Sequence, residues 1–112
     1  MDISKETSKA IEESRILEHH LTEFLVQKQN IQVELQEVLG ALDELKKNND
    51  DVYKILSGVM IKSDKEKLSK ELEEKKKLLQ MRISAIEKQE DMLEKKISET
   101  RIKIKEVMEK KK

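Results

Sequence analysis

The side chains that could carry chemistry are few and poorly arranged for catalysis. His19 and His20 are adjacent, and neighbouring residues of a helix point about 100° apart, so the two imidazoles do not form a chelating pair. Acidic pairs such as Glu12-Glu13 are typical of a solvated helix face, where no pocket prepares a carboxylate for general acid–base catalysis. The sequence has no cysteine, no glycine-rich phosphate loop and no serine–histidine–aspartate arrangement. We therefore expect a protein that is not an enzyme and that binds no metal ion or cofactor.

The composition favours long helices over a conventional globular core. Charged residues make up 43% and aromatic residues 2% of the 112 residues, and proline is absent. This mixture is typical of coiled coils, and the periodic apolar positions argue against disorder. The 24 basic and 24 acidic residues leave no net charge that would attract nucleic acid.

The apolar runs are too short to cross a membrane, since they reach only about three residues at positions 24–26 and 59–61. The first residues contain no apolar signal region, and the lack of cysteine fits a reducing compartment. We therefore expect a cytoplasmic protein that binds neither membranes nor nucleic acid.

The first half of the chain predicts one helix, from Ser4 to about Lys47. Apolar residues recur there at alternating steps of three and four, and this spacing places them at the a and d positions of a heptad. Thr7, Ser14 and Lys28 interrupt the a positions. The apolar residues of this seam are Ile3, Ala10, Leu17, Leu21, Phe24, Ile31, Leu35, Val38, Leu42 and Leu45.

A second helix is predicted over residues 64–110. Ser63 and Glu66 have the spacing of a capping box, in which the Ser63 hydroxyl accepts a hydrogen bond from the backbone NH of residue 66. Lys76 and Glu90 are polar a positions. The remaining seam residues are Leu72, Leu79, Ile83, Ile86, Leu93, Ile97, Thr100, Ile104 and Val107.

The two helices have similar lengths and a short connection, so we expect them to pair antiparallel. Placing Leu42 opposite Leu72 brings apolar layers together along most of the seam. Lys28 and Glu90 then lie one layer apart. We predict that their charged groups meet diagonally across the seam, because a slipped register would leave either charge facing apolar layers alone.

Residues 52–62 predict a β-hairpin between the helices, with Ser57-Gly58 as a two-residue turn. Both faces of this hairpin are largely apolar, whereas an isolated two-stranded hairpin is marginal in water and leaves its edges unpaired. We therefore expect other chains to supply the missing strands and the apolar cover. The predicted oligomerisation residues are Val52, Tyr53, Ile55, Leu56, Val59, Met60 and Ile61.

The order and spacing of these elements resemble the β class of prefoldin subunits over essentially the full chain. The resemblance is carried by Val52-Tyr53-Lys54, by residues 59–62, by Asp64-Lys65 and by residues 86–90 in the second helix. A single hairpin matches the β class, because α-class subunits carry two. One departure is the turn, where family members usually place glycine about one residue earlier, at the position of Ser57.

The elements predict a mainly α fold, an antiparallel two-helix coiled-coil hairpin with one β-hairpin inserted, as a single prefoldin-like domain over residues 1–112. The resemblance implies a hexamer of two α-class and four β-class subunits, with the hairpins joined in a β-barrel. It also implies an ATP-independent chaperone, a holdase, whose coiled-coil tips capture unfolded proteins and pass them to a group II chaperonin.

Some apolar residues near the free helix ends, such as Ile16, lie off the seam. They are either scattered surface residues or a soft apolar surface for transient client binding. Polar seam residues such as Ser14 and Thr100 should weaken the ends and expose further apolar residues there. The predicted client-binding residues are Ile3, Ile11, Ile102, Ile104, Val107 and Met108.

Other off-seam apolar residues carry a different expectation. We expect Met81, Met92 and Met108 to be packing residues unless Met108 belongs to the client-binding surface, and Leu39, Leu68 and Leu78 to pack beneath the barrel. Two functions remain open: a holdase subunit, or a structural or tethering coiled-coil adaptor whose tips bind one folded partner. An assay of aggregation suppression separates these two functions.

Overall fold

The computed structural model describes residues 3–48 and 50–110, without the side chains of Ile3 and Ser4. Two long helices flank two short antiparallel strands. The predicted fold class is therefore confirmed. The elements are α1 (Ile3–Lys47), β1 (Val52–Leu56), β2 (Val59–Ser63) and α2 (Lys65–Lys110).

The predicted seam is the buried face of both helices. Each described a and d position of the two heptad series is buried or half-buried, and Leu79 is the most deeply buried, with 2% of its surface exposed. Burying one leucine side chain of this kind stabilises the fold by roughly 1.5–3 kcal/mol. The off-seam positions are mostly exposed, so each helix has a narrow apolar stripe and a wide polar surface.

The chain forms two compact units, one of which combines α1 up to residue 29 with α2 from residue 84. Two ion pairs join the helix segments of this unit. Glu18 Oε1 lies 2.6 Å from Arg101 Nη2, and Lys28 Nζ lies 2.7 Å from Glu90 Oε1. The segments are antiparallel, because the partner's number in α2 falls as the number in α1 rises.

The other unit, residues 30–83, contains the hairpin and the helix segments next to it. Lys75 Nζ lies 3.1 Å from Glu34 Oε1 and joins the two segments. At the hairpin end, Lys65 Nζ donates a hydrogen bond to the carbonyl of Asn48 at 2.8 Å. A lysine at this place satisfies a carbonyl that the end of α1 leaves without a helical partner.

The hairpin turn has both central residues in the left-handed region, with φ of 51° at Ser57 and 79° at Gly58. Leu56 and Val59 form the last cross-strand pair before it. Two positive φ angles in a two-residue loop define a type I′ turn, whose twist matches that of the strands. Gly58 adopts this conformation without steric cost, whereas it is uncommon for a serine.

The predicted capping box at Ser63 is wrong, because Ser63 is the last residue of β2 and pairs with Val52. Asp64 caps the helix instead. Its Oδ1 accepts a hydrogen bond from the Glu66 backbone NH at 3.4 Å, and its carbonyl accepts one from the Leu68 backbone NH at 2.9 Å. Strand pairing holds Ser63 in the sheet, so the first residue free to act as N-cap is the next one.

Replacement of Asp64 with alanine should therefore destabilise the protein more than the same change at Ser63. We expect Asp64→Ala to lower the free energy of unfolding by about 1 kcal/mol, the usual effect of losing an N-cap. Ser63→Ala should stay within about 0.5 kcal/mol of the parent protein. Urea denaturation followed by circular dichroism measures both, and a larger loss for Ser63→Ala would contradict the Asp64 cap.

Candidate functional site

The hairpin displays apolar side chains on both of its faces. One face carries the cross-strand pairs Lys54–Ile61 and Leu56–Val59, and the other carries Tyr53–Lys62 and Ile55–Met60. Ile55 is 71% exposed and Met60 is 66% exposed. Of the seven predicted oligomerisation residues, only Val52 is half-buried, and the others are exposed. A contiguous exposed apolar surface of this kind marks an interaction site.

Two exposed ion pairs join the hairpin to α2 and to the connecting segment. Lys54 Nζ lies 3.0 Å from Glu71 Oε2 on α2, and Lys62 Nζ lies 3.6 Å from Asp51 Oδ2. The sheet contains only these two strands among the described residues, so the outer edge of each carries backbone groups without a strand partner. Both edges of the hairpin are thus open, and both faces carry exposed apolar side chains.

The predicted client-binding residues divide into two groups by exposure. Ile11, Ile102 and Met108 are each more than half exposed. Ile104 and Val107 are half-buried, as their seam positions require. The side chain of Ile3 lies outside the described residues. We refer to Ile11, Ile102, Ile104, Val107 and Met108 as the tip surface.

Charged side chains surround the half-buried part of the tip surface. Val107 lines a groove of about 240 Å³, and the other lining residues are all charged: Glu6, Lys103, Glu106 and Lys110. An apolar floor with a charged rim keeps such a surface soluble while leaving it open to weak apolar contacts.

The expectation that Met81, Met92 and Met108 are packing residues is wrong for packing within this chain, because all three are more than half exposed. Met81 is 69% exposed, and Met92 and Leu78 are also more than half exposed. Leu25, Val26 and Val33, which the sequence reasoning did not single out, are exposed on α1. All of these residues lie off the a and d positions, so heptad position rather than hydrophobicity predicts their exposure.

The titratable groups outside the seam form ordinary surface pairs. His19 Nε2 lies 2.8 Å from Glu23 Oε1, one turn along α1, with both side chains more than half exposed. The described part of the chain contains no cluster of three or more histidine and acidic side chains placed to hold a metal ion. Neither described helix has a stretch long and apolar enough to span a bilayer.

The predicted pairing of Lys28 with Glu90 across the seam is confirmed, with Nζ and Oε1 separated by 2.7 Å. The side chains are 21% and 7% exposed, so Glu90 is buried and Lys28 is only partly so. The Glu90 carboxylate, 2.7 Å from the Lys28 ammonium, holds the pKa of Lys28 above its ordinary value, and burial opposes the shift. The ammonium form is therefore favoured in the folded protein.

A coiled-coil hairpin that carries an open β-hairpin with apolar side chains on both faces defines a helical assembly subunit. Comparison with known proteins identifies its family. Residues 8–111 match the prefoldin subunit family. The prefoldin subunit beta of Saccharolobus islandicus strain L.S.2.15 is 38% identical over 96 residues, which cover 84% of this chain and 76% of the relative. That of Pyrococcus furiosus is 40% identical over 80 residues, covering 70% and 68%.

A solved structure supports the same assignment. The crystal structure of the prefoldin beta subunit from Thermococcus strain KS-1 superposes with a TM-score of 0.86, at 31% identity and with 94% of each chain covered. The chain therefore belongs to the prefoldin subunit family, whose members are molecular chaperones, and its resemblance to the β class is confirmed.

Removing one partner of the Lys28–Glu90 pair should destabilise the protein more than removing both. Lys28→Met leaves a buried carboxylate without its cation, whereas Lys28→Met combined with Glu90→Met restores an apolar layer. We expect the midpoint of thermal unfolding at pH 7 to fall by several degrees in the single variant and to recover in the double variant. A double variant less stable than the single one would contradict this assignment.

The pH dependence provides a second test of the same pair. Because the pKa of Lys28 is raised in the folded state, its contribution to stability is full below its unfolded pKa of about 10.4 and is lost as the pH rises through the folded value. As the pH rises above 7, the stability advantage of the parent protein over Lys28→Met should therefore shrink only in strongly alkaline solution. A loss of this advantage between pH 7 and pH 9 would contradict the raised pKa.

Proposed function

We propose that this chain is a β-class subunit of a prefoldin-type holdase that works in the cytoplasm without ATP. In this proposal, it assembles with an α-class subunit as a hexamer of two α and four β chains. The assembled coiled coils capture unfolded proteins with their tips and pass them to a group II chaperonin. Membership of the prefoldin subunit family supports the chaperone role.

The single observation that carries the assembly step is the exposure of both hairpin faces. Ile55 and Met60 form a cross-strand pair on one face, and their side chains are 71% and 66% exposed. Leu56 and Val59 form the equivalent exposed pair on the other face. The chain's own elements leave apolar side chains on both faces of this two-stranded sheet exposed, so other subunits are the natural cover.

Client capture rests on weak contacts repeated over several arms. The exposed tip residues are isolated aliphatic side chains and one flexible methionine, and no deep pocket is needed to bind varied unfolded segments. One arm would bind poorly, but several arms on one platform raise the effective concentration of binding ends. Avidity then supplies affinity without any strong single contact, which suits a chaperone that must also release its client.

Disrupting the hairpin should abolish assembly without unfolding the helices. We expect Ile55→Asp to yield monomers or small oligomers in the presence of an α-class subunit, because a charge replaces an apolar side chain that assembly would bury. Native mass spectrometry measures the oligomeric state, and far-ultraviolet circular dichroism should show helicity equal to that of the parent protein.

A matched pair of methionines gives the control for the hairpin experiment. Met60 on β2 and Met81 on α2 have similar exposures of 66% and 69%. We expect Met60→Glu to block assembly and Met81→Glu to leave it intact. A parent chain that stays monomeric with its α-class partner, or equal effects of the two substitutions, would contradict assembly through the hairpin.

Removing the tips should abolish client capture and preserve assembly. We expect a hexamer that lacks residues 1–10 and 103–112 to form normally and to lose suppression of the aggregation of denatured citrate synthase, measured by light scattering. The reason is that these segments carry four of the six predicted client-binding residues: Ile3, Ile104, Val107 and Met108.

Point substitutions separate the tip surface from exposed apolar residues elsewhere. Ile102→Lys at the tip and Val33→Lys in the other unit replace side chains that are 56% and 60% exposed. We expect only Ile102→Lys to weaken the suppression of aggregation, by severalfold.

Full holdase activity in the truncated hexamer would contradict client capture by the tips and favour the tethering adaptor.

A further inference from the structure

A groove opens beside the root of the hairpin, within the unit formed by residues 30–83. Its volume is about 360 Å³, far more than the roughly 30 Å³ that one water molecule occupies in the liquid. The apolar part of its lining comes from both helices and from β1: Ala41, Leu45, Val52, Tyr53, Leu68 and Leu72. Ala41 and Leu68 lie off the seam, so the apolar surface of the seam extends sideways here and meets the hairpin.

The rim of the groove is acidic. Glu44 and Asp51 line it beside the apolar residues. Asp51 is held only loosely, at 3.6 Å from Lys62, and both of these side chains are about two-thirds exposed. The Glu44 carboxylate forms no ion pair with any residue in the described part of the chain. An apolar groove with an acidic rim fits an apolar side chain that has a basic residue beside it.

The helix surface next to this rim includes a position without a side chain. Gly40 lies one turn before Glu44 on α1, and a Cβ atom built on it would meet nothing within 4 Å. Glycine weakens the interior of a helix, and no residue that the structure describes lies close enough to require its small size here. A close approach by a second molecule is a physical reason to keep this position free of a side chain.

The chain itself carries the side chains that complement the groove. Met60 and Lys62 are two residues apart on β2, so they project from the same face of the hairpin. Met60 is flexible and 66% exposed, and it can adapt its shape to an irregular groove. Lys62 would lie beside it at the distance of one strand repeat, in position to meet the acidic rim.

We propose that the groove binds the hairpin of a second copy of this chain, with Met60 of that copy in the groove and Lys62 of that copy beside Glu44. The proposal rests on the assembly proposed above and specifies one of its contacts. A second copy is the occupant that the chemistry favours, because the acid-rimmed groove and the Met-Ile-Lys segment that complements it belong to the same sequence. The contact covers the groove and one exposed face of the hairpin at once.

Cysteine cross-linking tests this contact directly, because the natural sequence has no cysteine. One copy carries Ala41→Cys, a second copy of different mass carries Met60→Cys, and the two are assembled together with an α-class subunit. We expect a short bismaleimide to give the mixed cross-linked dimer in a yield about tenfold above that of a control pair, since docking raises the effective concentration of the two thiols.

The control pair replaces Ala41→Cys with Ala85→Cys, another exposed alanine on a helix, which does not line the groove. Native mass spectrometry of each sample before cross-linking shows whether assembly has occurred. Equal yields from the two pairs in assembled complexes would overturn the groove contact and leave assembly through the hairpin intact. Absence of assembly in the parent chain would overturn both, and the native mass alone distinguishes this outcome.

A photoreactive maleimide on the Ala41→Cys thiol identifies the occupant. In complexes that contain a ¹⁵N-labelled second copy, we expect the label on the ¹⁵N peptide spanning β2. Labelling of the α-class subunit instead would overturn the assignment to a second copy of this chain.

Charge reversal tests the acidic rim with a matched control. Glu44 and Glu37 are both exposed and lie one heptad apart on α1, but only Glu44 lines the groove. We expect Glu44→Lys to weaken association by at least about threefold, because it removes one exposed ion pair and places two like charges side by side. Glu37→Lys should leave association unchanged, and equal effects of the two reversals would contradict a role for the rim.

Discussion

The structure depends on one narrow apolar seam. Each helix buries only its a and d positions, and the chain has too few aromatic residues to build any other core. Within each compact unit, the segments of α1 and α2 are the main apolar cover available to one another. The seam therefore determines which side chains are buried, and by exclusion it determines which apolar side chains remain on the surface.

The buried ion pair gives this seam its register more than its strength. An apolar pair in place of Lys28 and Glu90 would bury the same positions without the cost of removing charges from water. What the charges add is a penalty for any slipped alignment, because Glu90 is almost fully buried and needs its cation at 2.7 Å. A regular heptad seam is otherwise degenerate, since a shift of one heptad restores apolar layers nearly as good as the original ones.

The sequence predicted the features that follow from periodicity. The seam, the antiparallel pairing, the Lys28–Glu90 contact and the two-faced hairpin all depend on residue spacing, which folding preserves. The N-cap was predicted wrongly because Ser63 and Asp64 are adjacent residues that both cap helices well, and the choice between them depends on where strand pairing stops. Hydrophobicity alone does not predict the exposure of Met81 and Met92, whereas their heptad positions do.

Other features could not be predicted because they depend on atoms that no short sequence pattern relates. Lys65 satisfies the carbonyl of Asn48, seventeen residues away, only because the hairpin returns the chain to the end of α1. The groove beside the hairpin likewise requires Ala41, Tyr53 and Leu68 to converge from three different elements. Sequence spacing identifies Leu68 as off the seam, but only the fold shows that this leucine lines a concave surface.

The two ends of the chain's helices differ in a way that follows from the seam. Toward the free ends, small polar residues replace large apolar ones at core positions. Ser14 and Thr100 are buried, and the Thr100 hydroxyl donates a hydrogen bond to the Lys96 carbonyl of its own helix at 2.8 Å, so it needs no partner on the other helix.

Such positions bury little apolar area and hold the helices together weakly. Local opening should then cost least at these ends and most where large apolar residues such as Leu79 fill the seam. A gradient of this kind makes the helices open more easily at their free ends than beside the hairpin. The same narrow seam accounts for both properties.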